Sequence, residues 1–145
     1  MAKSLILRDI RAMETYANEI MSGNLLAVKS TTTVEEALKI MINARITGMP
    51  VVDDEGKMIG VVSEFDILKQ IASEKQMKAK KFHEPIRFSK KSTSIREDTP
   101  LSEIIEKFLE LKFRRLPVVD GKGKLLGIIT RRDLMRVFYY RSKLT

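Results

Sequence analysis

The chain has 145 residues, 43% of them hydrophobic and 32% charged, which suits one compact domain or two very small subdomains with a real core and argues against global disorder. It carries no cysteine and a single histidine, His83, which excludes disulfides, thiolate metal sites, a cysteine nucleophile and multi-histidine metal centres. The net charge of +8 is unevenly placed: residues 1–68 hold seven basic and ten acidic side chains (−3), 69–96 nine and two (+7), 97–111 one and five (−4), and 112–145 ten and two (+8).

Near the start, the aliphatic run from Leu5 to Leu7 is far too short to cross a bilayer or to form a signal-peptide core, so no membrane segment and an intracellular, cytoplasmic location are expected. Ile6, Ile10, Met13, Ala17 and Ile20 alternate spacings of four and three and predict an amphipathic N-terminal helix that packs on the chain's own core. Residues 1–16 are assigned to it. Ala27 and Val28 then form a brief strand. Val34, Ala37, Leu38, Met41 and Ile42 form one apolar helical stripe, and Thr32 with Glu35 has the spacing of a capping box. Two β-rich runs around a polar turn, Pro50 to Asp53 and Met58 to Val62, predict a hairpin. Ser63 opens a further helix carrying Ile67, Leu68 and Ile71.

The same series returns 67 residues later. Met49-Pro50-Val51-Val52-Asp53 recurs as Leu116-Pro117-Val118-Val119-Asp120, and residues 56–63 recur as 123–130. Asp66 maps onto Asp133, Glu36 onto Glu103 and Thr32 onto Thr99. In the second copy Ser94 and Ile95 form the leading strand, and Leu101, Ile104, Ile105, Phe108 and Leu109 the stripe. Thr99 is its expected N-cap with Pro100 at the first helical position, and Leu134, Met135 and Phe138 lie on the last helix. The fold class is α/β (α+β), built from two β-α-β-β-α units. One unit of about 45 residues is marginal alone, so the two are expected to pack as a pseudo-twofold pair. The divisions are 17–71 for the first repeat, 72–91 for a solvated basic connector with six lysines and one arginine, 92–140 for the second repeat, and 141–145 for a tail. Met13, Met41 and Met135 read as core filler.

A helix, then hydrophobic-Pro-Val-Val-Asp, a Gly-Lys turn, Gly-hydrophobic-hydrophobic-Ser/Thr and an Asp three residues on, all present twice over residues 17–140, resembles a tandem CBS-domain pair, or Bateman module. The resemblance implies a stand-alone, non-catalytic regulatory module. It would bind adenosine compounds (AMP, ADP, ATP or S-adenosylmethionine) in clefts between the repeats, as an energy sensor. It also implies a disc-like homodimer, a separate protein partner and no required cofactor.

Carried over by position, the resemblance makes Asp66 and Asp133, closing Ser63-Glu64-Phe65-Asp66 and Thr130-Arg131-Arg132-Asp133, acceptors for ribose hydroxyls. A carboxylate accepts only, and so suits a vicinal diol. The same motif is also close to a helix capping box. Adenosine contacts are implied at Thr32, Ala37, Ile46 and Thr47, with Thr99 and Phe113 in the second copy, where Ile104 replaces the smaller Ala37. Phosphate contacts are implied at Arg114, Arg115, Arg131 and Arg132, against Thr47, Gly48, Glu64 and Phe65 in the first copy. Converging arginines favour AMP, ADP or ATP over S-adenosylmethionine. The alternative is a nucleic-acid-binding module using Lys75, Lys78, Lys80, Lys81, Lys90, Lys91 and the C-terminal basic residues, with Tyr139 and Tyr140 for stacking. No catalytic constellation or metal set is readable, and His83 falls in the connector as a solvated histidine.

Overall fold

The computed structural model describes residues 15–23, 25–73, 82–111 and 114–142. The expected helix over 1–16 therefore lies almost wholly outside the described residues, as do Met13, the connector lysines 75, 78, 80 and 81, and Phe113. The chain divides into two compact units, Leu26–Ser92 on one hand and Met1–Leu25 with Thr93–Thr145 on the other.

In the first unit, β1 (Val28–Lys29) lies parallel to β2 (Gly48–Val52), which pairs antiparallel with β3 (Met58–Ser63). Helix α2 (Val34–Ala44) connects β1 to β2, and α3 (Glu64–Ala72) follows β3. Val28, Val34, Ala37, Met41, Met49, Val51, Val62, Ile67 and Ile86 form the core. The second unit repeats the plan: β4 (Ile95–Arg96), α4 (Leu101–Leu111), β5 (Arg115–Val119), β6 (Leu125–Thr130) and α5 (Arg131–Ser142). Its ladder is identical in form, with Arg115 opposite Thr130 as Gly48 is opposite Ser63, and a bulge at Val118/Val119 as at Val51/Val52. The tight turns close with Gly56 and Gly123 at φ 83 and 86, values that favour a residue without Cβ.

The segment in front of each repeat belongs, in space, to the other one. Helix α1 (Ala17–Ile20) precedes the first repeat, yet Ala17 and Ile20 are buried in the core of the second, with Ile95, Leu101 and Leu134. Ile86 lies in the stretch expected to be a solvated connector, yet it is 4% exposed in the first repeat's core. Burying such a side chain contributes about 2 kcal/mol. Two backbone bonds recur in both dockings. Ala17 N–H donates to the Thr99 carbonyl and Leu101 N–H to that of Thr15; Ile86 N–H donates to Thr32 and Val34 N–H to Glu84. Ser22 then bridges Ile128 on the edge of β6, and Ser89 bridges Val61 on the edge of β3. The sequence boundary at Ala17 is thus not a spatial one.

Four local expectations are corrected. The capping box of α2 is formed by Thr33 and Glu36, one residue beyond Thr32 and Glu35. Thr32 instead accepts the Lys29 N–H, and Thr99 likewise accepts that of Arg96, each closing the turn after a leading strand. Pro100 accordingly stands one place before α4, its carbonyl accepting from Glu103 and Ile104. Of the apolar stripes, Ile42 and Leu109 are 71% and 57% exposed, and Leu68 and Met135 are 61% and 64% exposed. Met135 is therefore not core filler, whereas Met41 is. Among the described residues no helix is long and apolar enough to cross a membrane.

Candidate functional site

Both Ser/Thr-x-x-Asp motifs are realised as capping boxes at the β3–α3 and β6–α5 junctions. The Ser63 amide and hydroxyl both donate to Asp66 Oδ2, at 2.8 Å each, and Asp66 N–H donates back to the Ser63 hydroxyl at 3.1 Å. The Thr130–Asp133 box repeats this at 2.8, 3.0 and 3.2 Å. All the cap bonds in which the carboxylate accepts fall on Oδ2. Oδ1 takes no part in these cap bonds, and in the second repeat it stands 3.7 Å from Arg136 Nη1. Capping and ligand recognition are compatible because they use different oxygens of one carboxylate.

A cavity adjoins each of these aspartates. Beside Asp66 it has a volume of about 580 Å³ and is walled by Lys69, Gln70 and Ser73 of α3 and by Arg87, Phe88 and Ser89. Beside Asp133 it is smaller, about 310 Å³, between Arg136, Val137, Tyr140 and Arg141 of α5 and Thr15, Glu19 and Ile20. Both volumes are of the order used for small organic ligands. Lys69, Arg87 and the Thr15–Arg141 pair, bonded at 2.5 Å, carry no family motif and were not legible in the sequence. They reach these walls because each leading segment docks on the opposite repeat.

The remaining candidates fall into two groups. At the junction end of each sheet, the Thr47 carbonyl accepts from Glu64 N–H at 2.9 Å, and Ile46 and Thr47 are half-buried. In the second repeat the ladder places Arg115 opposite Thr130, so Arg114, Arg115, Arg131 and Arg132 share the end that holds Asp133. Thr32 and Thr99 lie at the other end of their sheets, because β1 and β4 run parallel to β2 and β5 and the chain turns immediately after them. Neither threonine meets the aspartate of its own repeat. Ala37 and Ile104 are fully buried in their own cores and line neither cavity.

The electrostatics separate the two junctions. Burial, and then repulsion from Arg114, push the Arg115 guanidinium below its ordinary pKa. Arg131 and Arg132 occupy the first turn of α5, where the helix dipole disfavours cations and favours anions; α3 has Glu64 and Phe65 there. His83 is solvated and lies 3.6 Å from Glu35. Among the described residues, no cluster of three or more His, Asp or Glu is gathered that could hold a metal ion.

The sequence model of the CBS domain matches residues 17–73 and 86–140. The chloroplastic CBS domain-containing protein CBSX1 of Arabidopsis thaliana is 36% identical over 138 residues, covering 78% of this chain and 58% of its own length. The chain thus spans a little under three fifths of that relative. A crystal structure of CBSX2 in complex with AMP superposes with a TM-score of 0.70 at 34% identity, covering 88% of this chain and 98% of that one. The CBS domain pair of protein MJ0100, crystallised with 5′-methylthioadenosine and S-adenosyl-L-methionine, superposes with a TM-score of 0.69 at 28% identity, covering 88% and 98%. With both repeats matched, each sheet built on the same register and each Ser/Thr-x-x-Asp box in place, the chain belongs to the CBS-domain family, of which it carries two copies.

Proposed function

We propose that this protein is a non-catalytic regulatory module that binds an adenine nucleotide, AMP, ADP or ATP, and signals its occupancy to a separate protein. The observation that carries the reading is the Arg115–Thr130 ladder pair. It puts Arg115 across the ladder from the Thr130 that opens the box of Asp133, and although Arg114, Arg115, Arg131 and Arg132 do not line the cavity beside Asp133, guanidinium and carboxylate are the two chemistries that a phosphate and a ribose diol require. CBSX2, crystallised with AMP, supports this choice of ligand. The MJ0100 pair with S-adenosyl-L-methionine marks the competing one, against which the four arginines weigh. The residues assigned to nucleotide are Thr32, Ile46, Thr47, Ser63, Asp66, Thr99, Phe113, Arg114, Arg115, Thr130, Arg131, Arg132 and Asp133. Ala37, also among the expected contacts, is fully buried in the first repeat's core.

Signalling follows from differential affinity: a nucleotide shifts two arrangements of the module only by binding one more tightly than the other. We place this module in the cytoplasm, as a homodimer and an energy sensor. The nucleic-acid alternative rests mainly on charge, and in the described part of the connector Ile86 is committed to the first repeat's core. Titration calorimetry of AMP, ADP, ATP and S-adenosylmethionine at about 150 mM salt, where surface charge is screened, tests the reading. Saturable binding with the phosphorylated nucleosides tighter than S-adenosylmethionine is expected. Folded protein that binds none of the four, but binds a DNA duplex with a steep salt dependence, would transfer the function to the alternative.

A further inference from the structure

An exposed stripe on α3 recurs in place on α5. Phe65, Leu68 and Ala72 stand three and four residues apart, on one side of a helix, and the offset of 67 carries them onto Arg132, Met135 and Tyr139. Phe65, Leu68, Met135 and Tyr139 are each more than half exposed. A single exposed apolar side chain asks for no explanation, whereas two helices that leave the same stripe apolar and uncovered present two faces of one kind. None of the six residues lines the cavity beside Asp66 or the one beside Asp133, so the stripes lie apart from the nucleotide chemistry proposed for those clefts.

The two faces differ in charge. Helix α3 carries Glu64 and Asp66 against Lys69, whose ammonium lies over the Phe65 ring at 5.0 Å, whereas α5 carries four arginines against Asp133. Asp66 and Asp133 are turned in to their caps. That leaves Glu64 beside the α3 stripe, and Arg131, Arg132 and Arg136 on or beside the α5 stripe. Two α5 faces brought together set arginine against arginine, and two α3 faces add like charge to like. An α3 face on an α5 face joins opposite signs around an apolar centre. Phenylalanine, methionine, tyrosine and arginine are also the residues that interfaces between chains favour.

We propose that the α3 face is covered by the α5 face of a second copy of this chain, and the α5 face by that copy's α3, so that two copies pair with unlike repeats in contact. The pairing rests on the homodimer proposed above, to which it gives a surface and a direction, and it stands without a bound nucleotide. Leu68 and Met135 are its apolar centre, and the opposite signs of Glu64 and the α5 arginines select unlike repeats over like ones.

The test is sedimentation equilibrium of the full chain without nucleotide, with Leu68→Arg and Met135→Glu as the two variants, neither of them assigned to nucleotide. In the proposed pairing the new cation meets Met135 among its arginines, and the new anion meets Leu68 beside Glu64. Each variant alone is expected to dissociate about a hundredfold more readily, tenfold for each of its two altered contacts. An equimolar mixture of the two is expected to pair within about tenfold of wild type, because one contact then joins the new cation to the new anion and the other is unaltered. Phe65→Arg and Tyr139→Glu serve as the pair if either variant does not unfold cooperatively. A monomeric wild-type chain, a variant that dimerises as tightly as wild type, or a mixture that pairs no more tightly than its components overturns the proposal. AMP titration is read separately: a monomer that binds AMP overturns this surface and leaves the nucleotide reading standing, and a chain that pairs in this way without binding AMP does the reverse.

Discussion

The ring of Phe88 lies across Gly60, with a carbon 2.6 Å from the place a Cβ on that glycine would occupy. Met21 lies across Gly127 in the same way, its sulfur at 2.6 Å. The glycine that opens each Gly-hydrophobic-hydrophobic-Ser/Thr motif is therefore the floor on which the other repeat's leading segment rests. The consequences of filling it differ. At Gly60 the added methyl also meets the Ser89 carbonyl oxygen, a backbone atom held by the Val61 bridge, whereas at Gly127 the three nearest atoms are the sulfur, Cγ and Cβ of Met21, of which the Cβ, at 2.9 Å, moves only with the backbone. Gly60→Ala is expected to cost about 2–3 kcal/mol and Gly127→Ala about 1–2 kcal/mol in urea unfolding. Equal costs would mean that Met21 is as firmly seated as Ser89.

Helix α2 ends on Arg45 at φ 55, its N–H on the Ile42 carbonyl. A side chain in the left-handed region is strained where glycine is not, so Arg45→Gly is expected to raise stability by about 0.5–1 kcal/mol, read as a higher urea midpoint at unchanged slope. A lower midpoint would show that the arginine side chain makes a contact worth more than its strain.

Asp120 accepts the N–H groups of Lys124 and Lys122, and these bonds hold its carboxyl below the ordinary 3.8. A depressed carboxylate contributes stability that is present above the ordinary value and lost as pH falls through the folded one. The Lys122 and Lys124 amide resonances should accordingly titrate together below pH 3.8, with the β5–β6 turn loosening over that range. Amide shifts that move at or above that value would contradict the bonding.

Burial, and then Arg114, hold Arg115 below its ordinary pKa, yet it stays protonated at every working pH. Arg115→Gln is expected to weaken AMP binding about tenfold while the ligand-free protein still unfolds cooperatively. A variant that melts lower yet binds AMP normally would make Arg115 a structural residue.

The repeat, the hairpins and the last helices were legible because each copy states the same periodicity in the same register. What was not legible followed from a local turn and from the docking of the segment in front of each repeat. Thr32 and Glu35 have capping spacing, but the turn after β1 claims the Thr32 hydroxyl and passes the cap to Thr33 and Glu36. Ile86 was hidden by the lysines around it, although its position opposite the Thr32 carbonyl mirrors that of Ala17 opposite Thr99. At the candidate site the aspartates and arginines could be read from motif positions, while Lys69, Arg87 and Gln70 could not. They matter only once residues 85–89 are seen to dock against α3.

The central claim is that Asp66 and Asp133 each cap a helix with one oxygen and hold a ribose with the other. Calorimetric titration of AMP into wild type, Asp66→Asn, Asp133→Asn and the double variant tests it most directly, with the melting temperature recorded for each. Asparagine keeps an acceptor for the cap amide but replaces one carboxylate oxygen by a donor. Each single variant should lose one site or weaken it about tenfold, and the double variant should bind no AMP while still unfolding cooperatively. A double variant that binds AMP with wild-type affinity and stoichiometry would reduce both aspartates to caps and contradict the account.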